Sequence, residues 1–263
     1  MTRVVALVES RMGSTRLPGK NLKPILEKPM LARLLERLKR CRMIEELCVA
    51  TTRDTADDTL EDVARAEGVA WYRGSLDDVM QRVLQAATEL KADVIVEITG
   101  DCPLVDPAIT DAAIRRYLRG GCDYLANVLD RLSFPIGFDV QVYSREALSE
   151  VAGLTKDLYD RANVTSFFYR NPARYRLLNL YAPPALDRPR YRLCVDYPDD
   201  FEVVTSVYEA LYPRAAAFDA FDIVRFMDQR SELAVRNTTR PDAFEFPDSG
   251  GSAVQEVLSF DAR

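Results

Sequence analysis

The sequence predicts an α/β protein: a mainly parallel sheet with helices on both faces. Two observations carry this. Short apolar, β-branched runs alternate with segments of helical periodicity over the first half of the chain. That alternation is the signature of βαβ units, whose strands lie parallel and are covered on both sides. A loop rich in small residues and cations follows the first run, where such sheets present ligand sites.

The elements follow in order. Strands are expected at 4–8 (VVALV), 47–51, 69–72, 94–98 and 124–126. Between them, Leu31, Leu34, Leu35 and Leu38 mark one helix face, and Leu60, Val63 and Ala64 a second. Leu76, Val79, Val83, Ala87 and Leu90, at steps of three and four, mark a third. From about residue 128 the rhythm changes. A turn leads into an alternating strand over 134–143, helix is expected over 157–170, and strands over 175–181 and 191–195. Helical pattern returns at 199–211 and 219–230. This divides the chain into one domain over 1–240, carrying an insertion at about 128–190 that would serve as a flap or dimer arm. A tail over 241–263 opens with the loop-like PDAFEFPDSGGS and reads as peripheral.

Composition narrows the function. The 263 residues carry 35 basic and 41 acidic side chains, a net charge of −6, which argues against nucleic acid as a partner. Five scattered cysteines with no CxxC pair argue against a disulfide framework or zinc site and fit a reducing cytoplasm. No apolar run is long enough to span a membrane, and the N-terminal run is too short for a signal peptide. Histidine is absent, which excludes Ser-His-Asp triads, Cys-His dyads and HExxH metal sites. The chemistry falls to carboxylates, lysine, tyrosine, cysteine or a metal held by oxygen.

The segment Ser10–Leu26, SRMGSTRLPGKNLKPIL, holds Arg11, Arg16, Lys20 and Lys23 and no acid, within an acidic chain. Gly13, Ser14, Thr15 and Gly19 allow tight turns and supply donors. It is neither a GxxxxGK[ST] loop nor a GxGxxG turn. Arginine can fork onto phosphate oxygens and lysine can act as a point charge, so a polyphosphate site is expected; a solvated basic loop is the alternative. A second motif, TGDCPL (99–104), places Asp101 at the carboxyl end of a strand, suited to a divalent cation or to capping the next turn. A third, VDYPDD (195–200), offers Asp196 as a second carboxylate for that cation, with Asp199 or Asp200 as helix caps.

Taken together, these motifs resemble the CTP-dependent cytidylyltransferases, in particular the spore-coat-polysaccharide branch related to the CMP-KDO and CMP-sialate synthetases. The stretches that carry the resemblance are SRMGSTRLPGKNLKPILEKPML, VATTRDTADD (49–58), YRGSLDDV (72–79), EITGDCPLVDP (97–107), CDYLANV (122–128), FPIGFDVQVYS (134–144) and YRLCVDYPDDF (191–201), covering about residues 3–212. The resemblance implies a Rossmann-like nucleotidyltransferase fold, often dimeric, and CMP transfer from CTP to a small-molecule acceptor with loss of pyrophosphate. It implies Arg11, Gly13, Ser14, Arg16 and Lys20 on the triphosphate. Ser10, Thr51 and Arg73 would lie near cytosine and ribose, and Thr99 on the nucleotide side. Asp101 and Asp196 would hold Mg2+, and Arg11, Lys20 and Asp101 would be catalytic. The acceptor side would carry Asn127, Gln141 and Asn163. Glu9, Gln141 and the Ala162-Asn163 pair depart from the family pattern, mostly on the acceptor side. The acceptor stays open between an acidic sugar and a phosphate- or phosphonate-bearing metabolite. A nucleotide-sugar glycosyltransferase is a rival that lacks its DxD pair here; a non-catalytic nucleotide-binding module is another.

Overall fold

The computed structural model describes residues 2–237 and 253–260. Its centre is an eight-stranded sheet built from β1 (Val4–Glu9), β4 (Glu46–Thr52), β5 (Ala70–Gly74), β6 (Val94–Thr99), β7 (Tyr124–Ala126), β8 (Gln141–Ser144), β9 (Leu177–Tyr181) and β10 (Val254–Val257). A small antiparallel ribbon, β2 (Pro24–Ile25) and β3 (Lys28–Pro29), completes the strands. The order across the sheet is β10-β9-β7-β8-β6-β1-β4-β5. Every pairing is parallel except those of β8, which runs against both β6 and β7.

Alternation along β1 sorts the core into two faces. Val4, Ala6 and Val8 pack with α1 (Met30–Leu38), α2 (Asp58–Ala66) and α4 (Pro107–Leu118). The later α8 (Pro198–Leu211) and α9 (Ala220–Asp228) join the same cluster. Val5 and Leu7 pack on the other face with α3 (Val79–Glu89), α5 (Arg145–Leu154) and Phe168 of α7 (Ser166–Arg170). Helix α4 goes beyond the sequence expectation; Asp106 caps it by accepting from Ala108 N and Ile109 N, and Pro107 opens its first turn.

Three elements differ from expectation. The segment 128–190 is not set apart from the sheet: it supplies β8 near the centre and β9 beyond β7. The helix expected over 157–170 is two short ones, α6 (Leu158–Ala162) and α7, interrupted at Asn163–Thr165. Residues 191–195 form no strand of the sheet. They run extended between two loops, with Ile136 N donating to Tyr191 O, Leu193 N to Ile136 O and Val195 N to Asp101 O. The loop-like reading of 241–252 falls outside the described residues. Beyond it, Val254–Val257 is the edge strand β10, clamped by the bidentate pair between Arg116 and Glu256. No helix among the described residues is long and apolar enough to cross a membrane.

The chain steps from β1 to β4 and β5 on one side, then crosses to β6 on the other. The loops after β1 and β6 therefore part at the carboxyl edge of the sheet, the crevice where open α/β sheets take ligands. Because β8 is reversed, its first residue, Gln141, meets that same edge, opposite Glu97.

Candidate active site

The crevice is closed at its base by Gly100. A Cβ there would stand 2.7 Å from Glu9 O and 3.0 Å from the Ser10 side chain, so only glycine lets the two loops approach. Gly19, at φ 68°, turns the cation loop into one turn of 3-10 helix at Lys20–Leu22. This aims Lys20 back across the crevice. Its Nζ donates to Asp101 Oδ2 (3.1 Å), Asp196 Oδ1 (3.1 Å) and Val195 O (2.7 Å). The cation loop, TGDCPL and VDYPDD thus converge on one point.

Asp196 gathers two further cations, Arg16 Nη2 at 2.8 Å and Arg192 Nη2 at 2.8 Å. Arg16 also lies over the Tyr197 ring, 5.1 Å from its centre. Asp200, fully buried, fixes the turn: it accepts from Asp196 N, Tyr197 N and Asn237 Nδ2. Burial works against the Lys20 charge, but Asp101 and Asp196 overcome it and hold the ammonium above its ordinary pKa. Burial likewise opposes ionised Asp101, yet Lys20 and the Thr99 hydroxyl hold its carboxyl below the usual range. The site therefore carries fixed charges of both signs.

Two carboxylates and a backbone carbonyl directed at one cationic centre are a hard oxygen donor set, the kind Mg2+ takes when it binds through one or two carboxylates and substrate phosphates. Among the described residues no group of three or more His, Cys, Asp or Glu forms a self-sufficient metal cage. The pair fits a cation shared with a phosphate ligand, with Lys20 displaced from between them.

Near the cation loop, Ser10 Oγ and Thr51 Oγ1 are buried at the ends of neighbouring strands with no hydrogen-bond partner among the described residues. Ser14 Oγ accepts from Leu17 N at 3.3 Å. Gly13 is exposed and open around its Cα, whereas Thr99 is exposed and lines the cavity on the far side of the carboxylates. Arg11 is exposed and its guanidinium makes no ion pair among the described residues. Arg73 does not reach the crevice. It is spent locally, donating to Thr52 O, Asp54 O and Asp58.

On the other side of the two carboxylates lies a cavity of about 270 Å3, lined by Glu97, Asp139, Gln141 and Arg192, with Leu132, Ile136 and others forming an apolar wall. Of the three residues expected on the acceptor side, only Gln141 lines it. Asn127 spends both ends of its amide on Phe138 O and Val140 N, so it braces the strand behind the cavity instead of facing a ligand. Asn163 bonds back to Tyr159 O at the end of α6. Cys102 and Cys194 also line the cavity, but burial pushes both thiols well up, so neither is a thiolate nucleophile near neutrality.

Asp139, Arg192 and Glu97 are contributors that the sequence reading did not single out. Asp139 lies within GFDVQV and Arg192 within YRLCVDY, both quoted stretches. Their signal was a charged residue inside an otherwise apolar run. Burial pushes the Asp139 carboxyl up to about 7. Burial and the neighbouring Glu9, with which it shares a hydrogen bond, also push the Glu97 carboxyl well up, while the Tyr143 hydroxyl donates to it.

A phosphate-ready cation loop facing paired carboxylates across the switch point of a doubly wound sheet defines a nucleotidyltransferase. The comparisons agree. The family model described as cytidylyltransferase matches residues 5–218, and the chain belongs to that family. It is 32% identical over 240 residues to the spore coat polysaccharide biosynthesis protein SpsF of Bacillus subtilis, covering 89% of this chain and 98% of that one. It is 28% identical over 179 residues to a 3-deoxy-manno-octulosonate cytidylyltransferase of Geobacter metallireducens, covering 62% of this chain and 69% of that one. Among solved structures, a cytidylyltransferase from Leptospira borgpetersenii superposes with a TM-score of 0.85 at 31% identity, over 92% of this chain and all of that one.

Proposed function

We propose that this nucleotidyltransferase moves CMP from CTP to a small hydroxyl-bearing acceptor and releases pyrophosphate. The observation that supports it most is the meeting of Lys20, Asp101 and Asp196 on one point, beside a cation loop on one flank and a cavity on the other. CTP as the donor rests on the family. The acceptor oxygen attacks the α-phosphorus in line, the bond to the bridging oxygen breaks, and pyrophosphate carries off the electron pair. The hydroxyl proton leaves to water.

Arg11, Arg16 and Lys20 neutralise the charge that builds on the leaving pyrophosphate. Asp101 and Asp196 are the carboxylates that would hold Mg2+, which when bound would supply Lewis-acid polarisation to a phosphate. Lys20 would then turn its ammonium to phosphate oxygens. Ser10 and Thr51, with hydroxyls left unbonded in a buried place, orient the base and sugar. The protein acts mainly by positioning and by charge. A cytoplasmic homodimer completes this reading.

The test is pyrophosphate release with CTP and Mg2+ across sugar acids, neutral sugars, sugar phosphates and phosphonates, with ATP, GTP and UTP as controls. Release with CTP and one acceptor class is expected. Release that is equal for all four nucleotides, or none from any acceptor in a protein that binds CTP, overturns the reading.

A further inference from the structure

We propose that Arg82 is a positioning residue for the donor. It balances the one negative charge of a carboxyl pair, Glu9 and Glu97, at the root of the cation loop, so that the loop keeps its positive field for the triphosphate. This rests on the transferase reading and adds to it a residue that no motif marks.

The need for such a residue follows from position. Glu9 is the last residue of β1, and Ser10 and Arg11 follow it directly. An acid there stands at the door of an anion site. Strands β1 and β6 are parallel neighbours, and alternation turns Glu9 and Glu97 to the α3 face, where Val5, Leu7 and Ile95 also pack. The two carboxyls hydrogen-bond each other. A hydrogen bond between two carboxyl groups needs a proton, so the pair carries one charge and not two. The Tyr143 hydroxyl donates to Glu97 as well.

Arg82 meets the charge that is left. It lies near the start of α3 with its side chain 3% exposed, and its Nη2 stands 3.9 Å from Glu9 Oε2. Its stem runs against Gly74 at the end of β5, where a Cβ would come within 2.7 Å of Arg82 Cγ. Nη1 donates to Ser75 O at 2.6 Å, and Nε is buried with no hydrogen-bond partner among the described residues. Arg33, a buried arginine of the other face, is used differently: Nε and Nη2 go to Ile25 O and Leu26 O, and Nη1 goes to Glu36. Arg33 braces backbone, whereas Arg82 leaves donors unspent. Burial works against the Arg82 charge, and Glu9 is the foremost group that sustains it, with Asp57 beyond. Asp57 in turn accepts from Met12 N at 2.7 Å, inside the cation loop. Without Arg82 the pair would set an unbalanced charge two residues from Arg11 and oppose the phosphates that the loop takes.

Calorimetry on the full chain with CTP, beside saturation-transfer NMR with cytidine, tests this. Cytidine has the base and sugar but no phosphate. Arg82→Met should raise the Kd for CTP at least fivefold and change the cytidine signal less than twofold. Glu9→Gln/Glu97→Gln removes the charge of the pair and leaves Arg82, and should lower the Kd for CTP at least twofold. The triple variant should return to within twofold of wild type. This reversal of sign separates charge from packing, and the carboxyl-free variant decides alone if Arg82→Met does not fold. Equal losses for CTP and cytidine in Arg82→Met, a carboxyl-free variant that binds CTP no tighter than wild type, or a triple variant as weak as Arg82→Met overturn the proposal. Failure of the transferase reading is distinct. A wild type that binds no CTP ends both, whereas one that binds CTP without releasing pyrophosphate still shows the Arg82 pattern.

Discussion

Lys20 and Asp101 stand 3.1 Å apart although 81 positions separate them in the chain. One leaves the end of β1 and the other the end of β6, so the contact exists only because those strands are parallel neighbours whose loops part at the same edge. Asp101 is the more exacting of the two, because it balances Lys20 and, in the proposed function, would also serve as a metal carboxylate. Asp101→Asn keeps the shape and removes the charge. We expect kcat to fall by about 10^2–10^3, or roughly 3–4 kcal/mol of transition-state stabilisation, with CTP affinity changed much less. Steady-state pyrophosphate release beside CTP calorimetry measures both. Near-normal turnover would remove Asp101 from the chemistry.

Lys20→Met tests the other half of the pair, through stability. It leaves Asp101 and Asp196 facing each other without the ammonium between them. Both are partly exposed, so the loss at neutral pH should be about 1–2 kcal/mol, below the figure for a fully buried pair. The pH dependence fixes the sign. The folded Asp101 pKa lies below its unfolded value, so its contribution is complete above about pH 5 and is lost as pH falls through the folded value. The gap in Tm between wild type and Lys20→Met should therefore be widest near pH 6–7 and close toward pH 3. A gap that does not change with pH would mean that the lysine acts by packing alone.

Most of the first half of the fold was legible because its strands and helices carry their own period; α4 was the helix that was missed. VVALV and VIVEI lie at the sheet centre, where both faces are covered, and the Leu31–Leu38 stripe packs on one of them. The motif residues Lys20, Asp101 and Asp196 were legible from residue type and loop position. Strand β8 hid its rank: a four-residue strand between two apolar neighbours looks like part of an insertion until its pairing is known. Residues 191–195 have the composition of a strand, but their hydrogen bonds go to Ile136 and Asp101 in loops. Asn127 could not be placed from sequence, because its partners are backbone carbonyl and amide groups, and Arg73 because it divides itself between the Thr52 and Asp54 carbonyls and the Asp58 carboxylate.

Glu97→Gln should stabilise the protein. Burial raises the Glu97 pKa, the neighbouring Glu9 charge adds to it, and the folded state therefore holds a proton that the unfolded chain gives up near pH 4–5. Folding stability then declines as pH rises from the unfolded value toward the raised folded one. Glutamine can still accept the Tyr143 hydroxyl and can donate to Glu9, and it carries no ionisation cost. The Tm advantage of Glu97→Gln should be small near pH 4 and grow through pH 7, reaching ~1 kcal/mol or more. A variant less stable than wild type at pH 7 would show that the carboxylate is needed in its charged form.

Gly137→Ala probes the wall that carries Asp139. Gly137 has φ 102°, and a Cβ there would lie 2.7 Å from both Cys194 N and Leu193 C. The neighbours it would strike are backbone atoms of 193–194, the segment held by Leu193 N donating to Ile136 O at 2.7 Å, and they cannot turn aside as a side chain could. Strained conformation and overlap act together, so a loss of about 2–4 kcal/mol is expected in urea unfolding. If the chain relieves the overlap by pushing 134–139 away from 191–195, the cavity opens and the KM of any acceptor rises, while Lys20, Asp101 and the cation loop keep their places and the KM for CTP stays within about twofold. A variant that loses CTP affinity as well would show that the 134–139 turn supports the nucleotide side, and that the two halves of the site are not separable at Gly137.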